Sequence, residues 1–272
     1  MSFFKWFNNY KLVFLITNQF KMKKIIFVLF ALLTFIHSHS QEGNYLTINF
    51  YKVADGKTQE YEKLMTEYIS KIQEERIKSG CLSSWVFRRV LPSSKMSNEI
   101  SHITIDIRTK EQTENDCNWN PYNSIPEISE YLHEVILEKH RSNRKLVYNT
   151  QLMEVAGYNK LSEAPNVAVF NLIKANNVSN YAKRHREWQN NAFQKHSSQV
   201  AWHALMRNDI IGAGDNEWNY LSIDLFNNLE EANNRKWTIP QKEMNLANKK
   251  YGSNQDMRVI KDKIIATLIS SL

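Results

Sequence analysis

Apolar and polar residues alternate through Ile103-Thr104-Ile105-Asp106-Ile107, and the same alternation returns in Leu221-Ser222-Ile223-Asp224-Leu225. A period of two marks a strand whose two faces meet different surroundings. Residues 46–53 read the same way, with Leu46, Ile48 and Phe50 on one face and Thr47, Asn49 and Tyr51 on the other. Further strands are predicted over 82–91 and 146–155. Between them the period changes. Tyr61, Leu64, Met65, Tyr68, Ile69 and Ile72 form one helical stripe, so a helix is predicted over 58–78, ended by Gly80. A stretch broken by Trp119, Pro121 and Pro126 precedes a second helix, predicted over 127–140 from Ile128, Tyr131, Leu132, Val135 and Ile136. The order over residues 44–158 is β-α-β-β-α-β.

After a linker at 159–165 the order repeats over 165–272. A strand at 167–174 carries Asn171 where Asn49 stood, and a helix at 179–196 sets Tyr181, Glu187 and Trp188 against Tyr61, Glu67 and Tyr68. Trp202 answers Trp85, Trp237 answers Trp119, and Asp224 follows Asp106 by 118 positions. Several anchors at nearly one offset imply an internal duplication. The copies differ where Arg184, His185 and Gln189 replace Leu64, Met65 and Ile69 on the helical stripe.

A tandem β-α-β-β-α-β unit resembles the dimeric α/β-barrel superfamily, a branch of the ferredoxin-like fold. The resemblance spans nearly all of 44–272 and rests on element order and repeat rather than on a signature motif. It implies an α+β chain whose two ferredoxin-like units close a pseudo-dimeric barrel internally. The superfamily includes cofactor-free monooxygenases and haem enzymes similar to chlorite dismutases, so the fold alone names no reaction.

In such a barrel one sheet face lies under helices and the other looks inward. The expectation here is that the isoleucine face meets the helices. Asn49, His102, Thr104, Asp106, Asn171, Tyr220, Ser222 and Asp224 would then make a polar interior. Asp106 and Asp224 would need partners, since an unpaired buried carboxylate costs several kcal/mol, and Arg88 or Arg89 stand nearest in strand order. Candidate ligand contacts are therefore Asp106, Asp224, Asn49, Asn171, His102 and His203, with Trp85 and Trp202 as aromatic walls or as core beneath the helices. His102, His185 and His203 are the histidines that could serve a haem. No histidine pair has the i, i+4 spacing of a metal site, and no nucleophile elbow is present.

Composition narrows the setting. Residues 1–40 hold five lysines and no acid, and from Met22 they read as charged n-region, apolar run from Ile25 to Ile36, and small residues before a cleavage point after Ser40. That is the pattern of an export signal behind an upstream extension at 1–21, and the run falls short of the about 20 residues that span a membrane. The whole chain is +7, but outside that segment 30 basic residues face 28 acidic ones. Nucleic-acid binding thus loses its electrostatic support. In an oxidising compartment Cys81 and Cys117, both predicted at one end of the first sheet, could pair. Gly212-Ala213-Gly214-Asp215 precedes a strand and reads as a turn, not a phosphate loop.

Three functions compete on this reading. The first is an exported protein holding a small apolar or aromatic ligand, oxygenase-like and without a cofactor. The second is a non-catalytic module of the same fold with a filled interior. The third is a haem enzyme. The oligomeric state is left open.

Overall fold

Strands form where the sequence alternates. The computed structural model describes residues 43–92, 98–115, 117, 119–209 and 217–272. The segment read as an export signal and the stretches read as turns at Gly212-Ala213-Gly214-Asp215 and, in large part, at Pro92-Ser93-Ser94 lie outside the described residues. Eight strands are described: β1 (Tyr45–Val53), β2 (Ser84–Leu91), β3 (His102–Arg108), β4 (Arg144–Asn159), β5 (Val167–Ala175), β6 (Ala201–Arg207), β7 (Tyr220–Phe226) and β8 (Arg258–Ser271). They close a barrel in the order β1-β3-β2-β8-β5-β7-β6-β4, antiparallel throughout. Read by halves, the order 4-1-3-2 is followed by 8-5-7-6.

Two strands are much longer than the rest, β4 with 16 residues and β8 with 14. Each serves both halves. β4 pairs with β1 up to Met153 and with β6 from Leu152 onward. β8 pairs with β5 up to Thr267 and with β2 from Ile265.

The helices cover the outside. Helix α1 (Thr58–Leu64) runs through a π-helical turn (Met65–Ile69) into α2 (Ser70–Lys78). Helix α3 (Glu130–Ser142) starts on Ser129, whose side chain accepts a hydrogen bond from the Leu132 N–H and so satisfies one free donor of the first turn. The second half repeats the arrangement with α4 (Val178–Arg184), a π turn (His185–Gln189) and α5 (Asn190–His196), followed by α6 (Gln241–Tyr251).

The faces are the reverse of the expectation. Leu46, Ile48, Phe50, Ile103 and Ile105 pack inside the barrel against Phe170, Leu172, Leu221, Ile223 and Leu225 of the other half. Trp85 and Phe87 instead pack outward on Tyr61, Met65, Tyr68 and Ile72, and Trp202 and Tyr220 on Tyr181, Ala182 and Phe193. The physical reason is that joining two apolar faces buries both at about 25 cal/mol per Å² of apolar surface. The helices bring polar side chains of their own to meet the polar face.

Cys81 and Cys117 are joined as a disulfide, with Cα atoms 5.4 Å apart and a separation of 36 positions in sequence. It ties the end of α2 to the irregular stretch before α3. Closing a loop of that length stabilises by about 3–4 kcal/mol on the chain-entropy model. Paired Cys81→Ser and Cys117→Ser substitutions are expected to lower the unfolding free energy by that amount in denaturant melts. Reductant should then shift the wild-type curve and leave the variant's in place.

Candidate functional site

The inward apolar faces do not fill the barrel completely. A cavity of about 620 Å³ remains at the end where β4 and β8 run beyond their change of partner, a size typical of small-molecule sites. Leu46, Ile105, Phe170, Ile223, Leu225 and Leu268 wall it, and residues 162–165 of the connection between the halves border its mouth. The interior is therefore a mostly apolar chamber with a few polar groups, not the polar interior expected.

One polar group is a histidine–carboxylate pair. His203 on β6 bonds through Nδ1 to Glu154 Oε1 on β4 at 2.6 Å, and the Asn44 side chain donates to Glu154 Oε2 at 2.8 Å. The pair sits where the β4–β6 register shifts between Glu154 and Ala156, a bulge of the kind that re-aims a side chain next to a site. Gly157 lies directly opposite His203. A Cβ there would fall 2.4 Å from Glu154 Oε1 and 2.8 Å from His203 Nδ1, so only glycine leaves room for the pair. Burial pushes the Glu154 carboxyl up, yet the bonds from His203 and Asn44 outweigh it and hold the group below the ordinary carboxylate range. With an ionised carboxylate accepting at Nδ1, the proton sits on Nδ1, and Nε2 is the nitrogen left to accept one. Among the described residues Nε2 has no hydrogen-bond partner.

The other polar group is Arg88 on β2, which is 3% exposed. Its Nη1 donates to the Asn166 carbonyl at 3.1 Å and its Nη2 to the Pro165 carbonyl at 2.9 Å. Burial lowers its pKa to about 10, so the guanidinium stays charged at neutral pH.

The architecture is shared with solved structures of low identity. A candidate monooxygenase from Lactobacillus acidophilus NCFM superposes with a TM-score of 0.50 at 11% identity, over 84% of this chain and 94% of its own. At that identity the likeness shows a shared fold, of the dimeric α/β-barrel kind. A candidate monooxygenase from Fusobacterium nucleatum gives 0.49 at 11% identity, over 85% and 94% of the two chains. A haem-binding protein from Thermus thermophilus gives 0.43 at 7% identity, over 84% and 92%. No family model and no curated protein sequence matches the chain. A shared fold leaves the chemistry to the site.

Within this barrel the residues singled out from sequence separate into two groups. His203 lines the cavity. Asp106, Asp224, Asn49, Asn171, His102, Trp85 and Trp202 do not; they lie on the outer face, under the helices. Asp106 meets Arg76 of α2 at 3.1 Å rather than Arg88 or Arg89. Asp224 accepts from Arg235 at 2.5 Å, Gln199 at 2.6 Å and Asn171 at 2.8 Å. Asn49 accepts from Asn149 at 2.6 Å and donates to Thr104 at 3.2 Å. His102 bonds to Glu62 of α1 at 2.9 Å, and Arg89 pairs with the same glutamate. Trp85 stacks with Phe87, and Trp202 meets His185 edge-on. These are internal pairings: Arg76, Glu62 and His185 tie helical segments to the sheet, and the others join strand to strand or strand to loop.

Glu154, Gly157 and the inward role of Arg88 were not read from sequence. Gly157 offered a signal. It stands two residues past the strand predicted over 146–155, in a chain with only seven glycines; β4 runs on through it, and a strand glycine marks a close approach.

Two outcomes follow from this placement. Asp224→Asn removes the charge that holds Arg235 and is expected to cost about 1–3 kcal/mol in unfolding free energy, while neither it nor Asp106→Asn alters ligand binding in the cavity. Equilibrium unfolding and calorimetric titration check the two halves of that statement. For Glu154, a folded pKa below the unfolded one gives stability that is full above about pH 4.3 and fades as pH falls through the folded value. Glu154→Gln should therefore be less stable than wild type at neutral pH, with the gap closing on acidification. A gap that stays constant down to acid pH would contradict the pairing.

Proposed function

We propose that this dimeric α/β barrel is an exported, oxygenase-like enzyme that acts on a small apolar or aromatic molecule in its interior cavity without a cofactor. The observation that carries the reading is the His203–Glu154 pair on the wall of an otherwise apolar chamber. A base of that kind can take a proton from a carbon acid held beside it, and the low dielectric of the chamber strengthens the pair and keeps competing water out. The carbanion so formed is the species that dioxygen oxidises. For a benzylic methylene flanked by a ketone-bearing ring system, the balance is loss of two hydrogens, gain of one oxygen atom as a new ketone, and release of one water. His203 takes the first proton at Nε2, and Glu154 stabilises the imidazolium.

Two features support the rest of the reading. The disulfide fits an oxidising compartment, in line with the export pattern at 22–40. The repeated strand order and the π turns at Met65–Ile69 and His185–Gln189 are what an internal duplication would leave.

A second reading has one observation in its favour. A histidine whose Nδ1 is held by a carboxylate is also the arrangement by which His203 would hold a haem iron, which would supply redox chemistry there. Of the three histidines weighed for haem, only His203 borders open space; His102 and His185 are fully buried and bonded to Glu62 and Tyr220.

The test is oxygen uptake by metal-free protein with anthrone, whose methylene is acidic. Uptake with anthraquinone as product is expected, and His203→Ala should lower kcat/KM by about 10²–10⁴-fold. Unchanged turnover in that variant, or none in wild type, removes the proposal. A Soret band that forms on adding haem to wild type and is lost in His203→Ala would favour the second reading.

A further inference from the structure

Arg88 is the buried charge that the proposed reaction does not use. Arg76, Arg89, Arg141, Arg207 and Arg235 each meet a carboxylate. Arg88 meets none among the described residues, only the two carbonyls of Pro165 and Asn166. Arg184 is also fully buried, but it is held by Gly252, Asn248 and the Trp188 ring and does not line this cavity. A guanidinium has five N–H donors in a planar fork, so two carbonyls leave most of its capacity and all of its charge unmatched. Taking such an ion out of water costs several kcal/mol unless a counter-charge is present. The cavity opens beside it, and Arg88 lines that cavity together with Leu46, Phe170 and Leu268.

Resting on the reading of that cavity as a small-molecule site, we infer that its ligand is an apolar or aromatic carboxylate. The carboxylate pairs with Arg88, and the hydrocarbon body lies among Ile105, Phe170, Ile223 and Leu268. Charge decides between anions. A single guanidinium matches a monoanion, whereas a phosphate dianion would leave one charge unmatched in a chamber that Glu154 and Glu163 also border. Geometry agrees, because a planar carboxylate matches the guanidinium fork. The arrangement also separates two tasks: Arg88 on β2 anchors the acid group, while His203 on β6 reaches a different part of the same molecule.

The experiment is calorimetric titration of the full chain with 2-naphthoate and with its neutral counterpart 2-naphthamide. Wild type should bind naphthoate at least tenfold more tightly than the amide. Arg88→Met, which keeps an extended side chain of similar length, should erase that preference and leave amide affinity in place, and Arg88→Lys should retain part of it. Equal binding of the two compounds by wild type, or undiminished naphthoate binding by a folded Arg88→Met protein, overturns the carboxylate assignment while the cavity site stands. If neither compound binds wild type, the cavity reading and the assignment fall together. Because the comparison of ligands is made on wild type, it holds even if Arg88→Met fails to fold.

Discussion

The rest of the molecule depends on a change of partner in the middle of two strands. β4 begins against β1 and ends against β6; β8 begins against β5 and ends against β2. Neither half could be closed without the other, since each four-stranded sheet alone would expose two edges of unpaired backbone groups. Sharing β4 and β8 removes every edge and converts two open sheets into one barrel. Beyond the change of partner each long strand is held by the other half, and there the barrel leaves the cavity. Glu154 and Leu268 both lie just past that point. The site is thus a consequence of closure.

Closure also explains why the fold was more legible in the sequence than the site. Strand and helix positions follow from local periodicity, and the helix read at 58–78 and the strands at 46–53 and 167–174 occupy nearly those ranges. Period-two alternation says that a strand has two faces, but not which face meets helices and which meets the other half. Isoleucines at 103 and 105 suit either role. The clue lay on the helices. Arg184, His185 and Gln189 are polar residues on a stripe that must touch the sheet, and all three are buried there. A polar helix face requires a polar sheet face beneath it, which places Tyr220, Ser222 and Asp224 outward and the aliphatic residues inward. The first half says the same more quietly, through Glu62 on His102 and Arg76 on Asp106. Glu154 and His203 come from strands that meet only across the closed barrel, 49 positions apart in sequence, and no local pattern could join them.

The two halves share strand order yet do not share chemistry. Trp85 pairs with Asp106 and Trp202 with Asp224, which makes Val86 the counterpart of His203. Along that wall β8 supplies Leu268 and Ser271 to β2, where β4 supplies Glu154 and Gly157 to the β6 side. One wall of the chamber is therefore greasy and the other carries the acid–base pair. Arg88 breaks the symmetry again, because its counterpart by the same register is Leu205, fully buried in the apolar core. A symmetric chamber would present a ligand with two equivalent poses. These three departures remove that equivalence.

The remaining histidines show why that asymmetry matters. His185 is sealed under Tyr181, Trp202 and Tyr220, and burial drives its pKa well below the ordinary value. His140 stacks on Tyr61 and is pushed down to about 3 by burial and the nearby arginines. His102 is lowered by burial despite its bond to Glu62. Each is neutral and enclosed, so each fills space and orders neighbours without reach to a ligand. A base must combine a free nitrogen with an open approach, and His203 has both: a carboxylate fixing Nδ1 and a chamber beside the ring. Polarity in the helix–sheet layers holds the fold together. Polarity in the barrel is confined to a few groups, and that scarcity is what makes them able to orient a ligand.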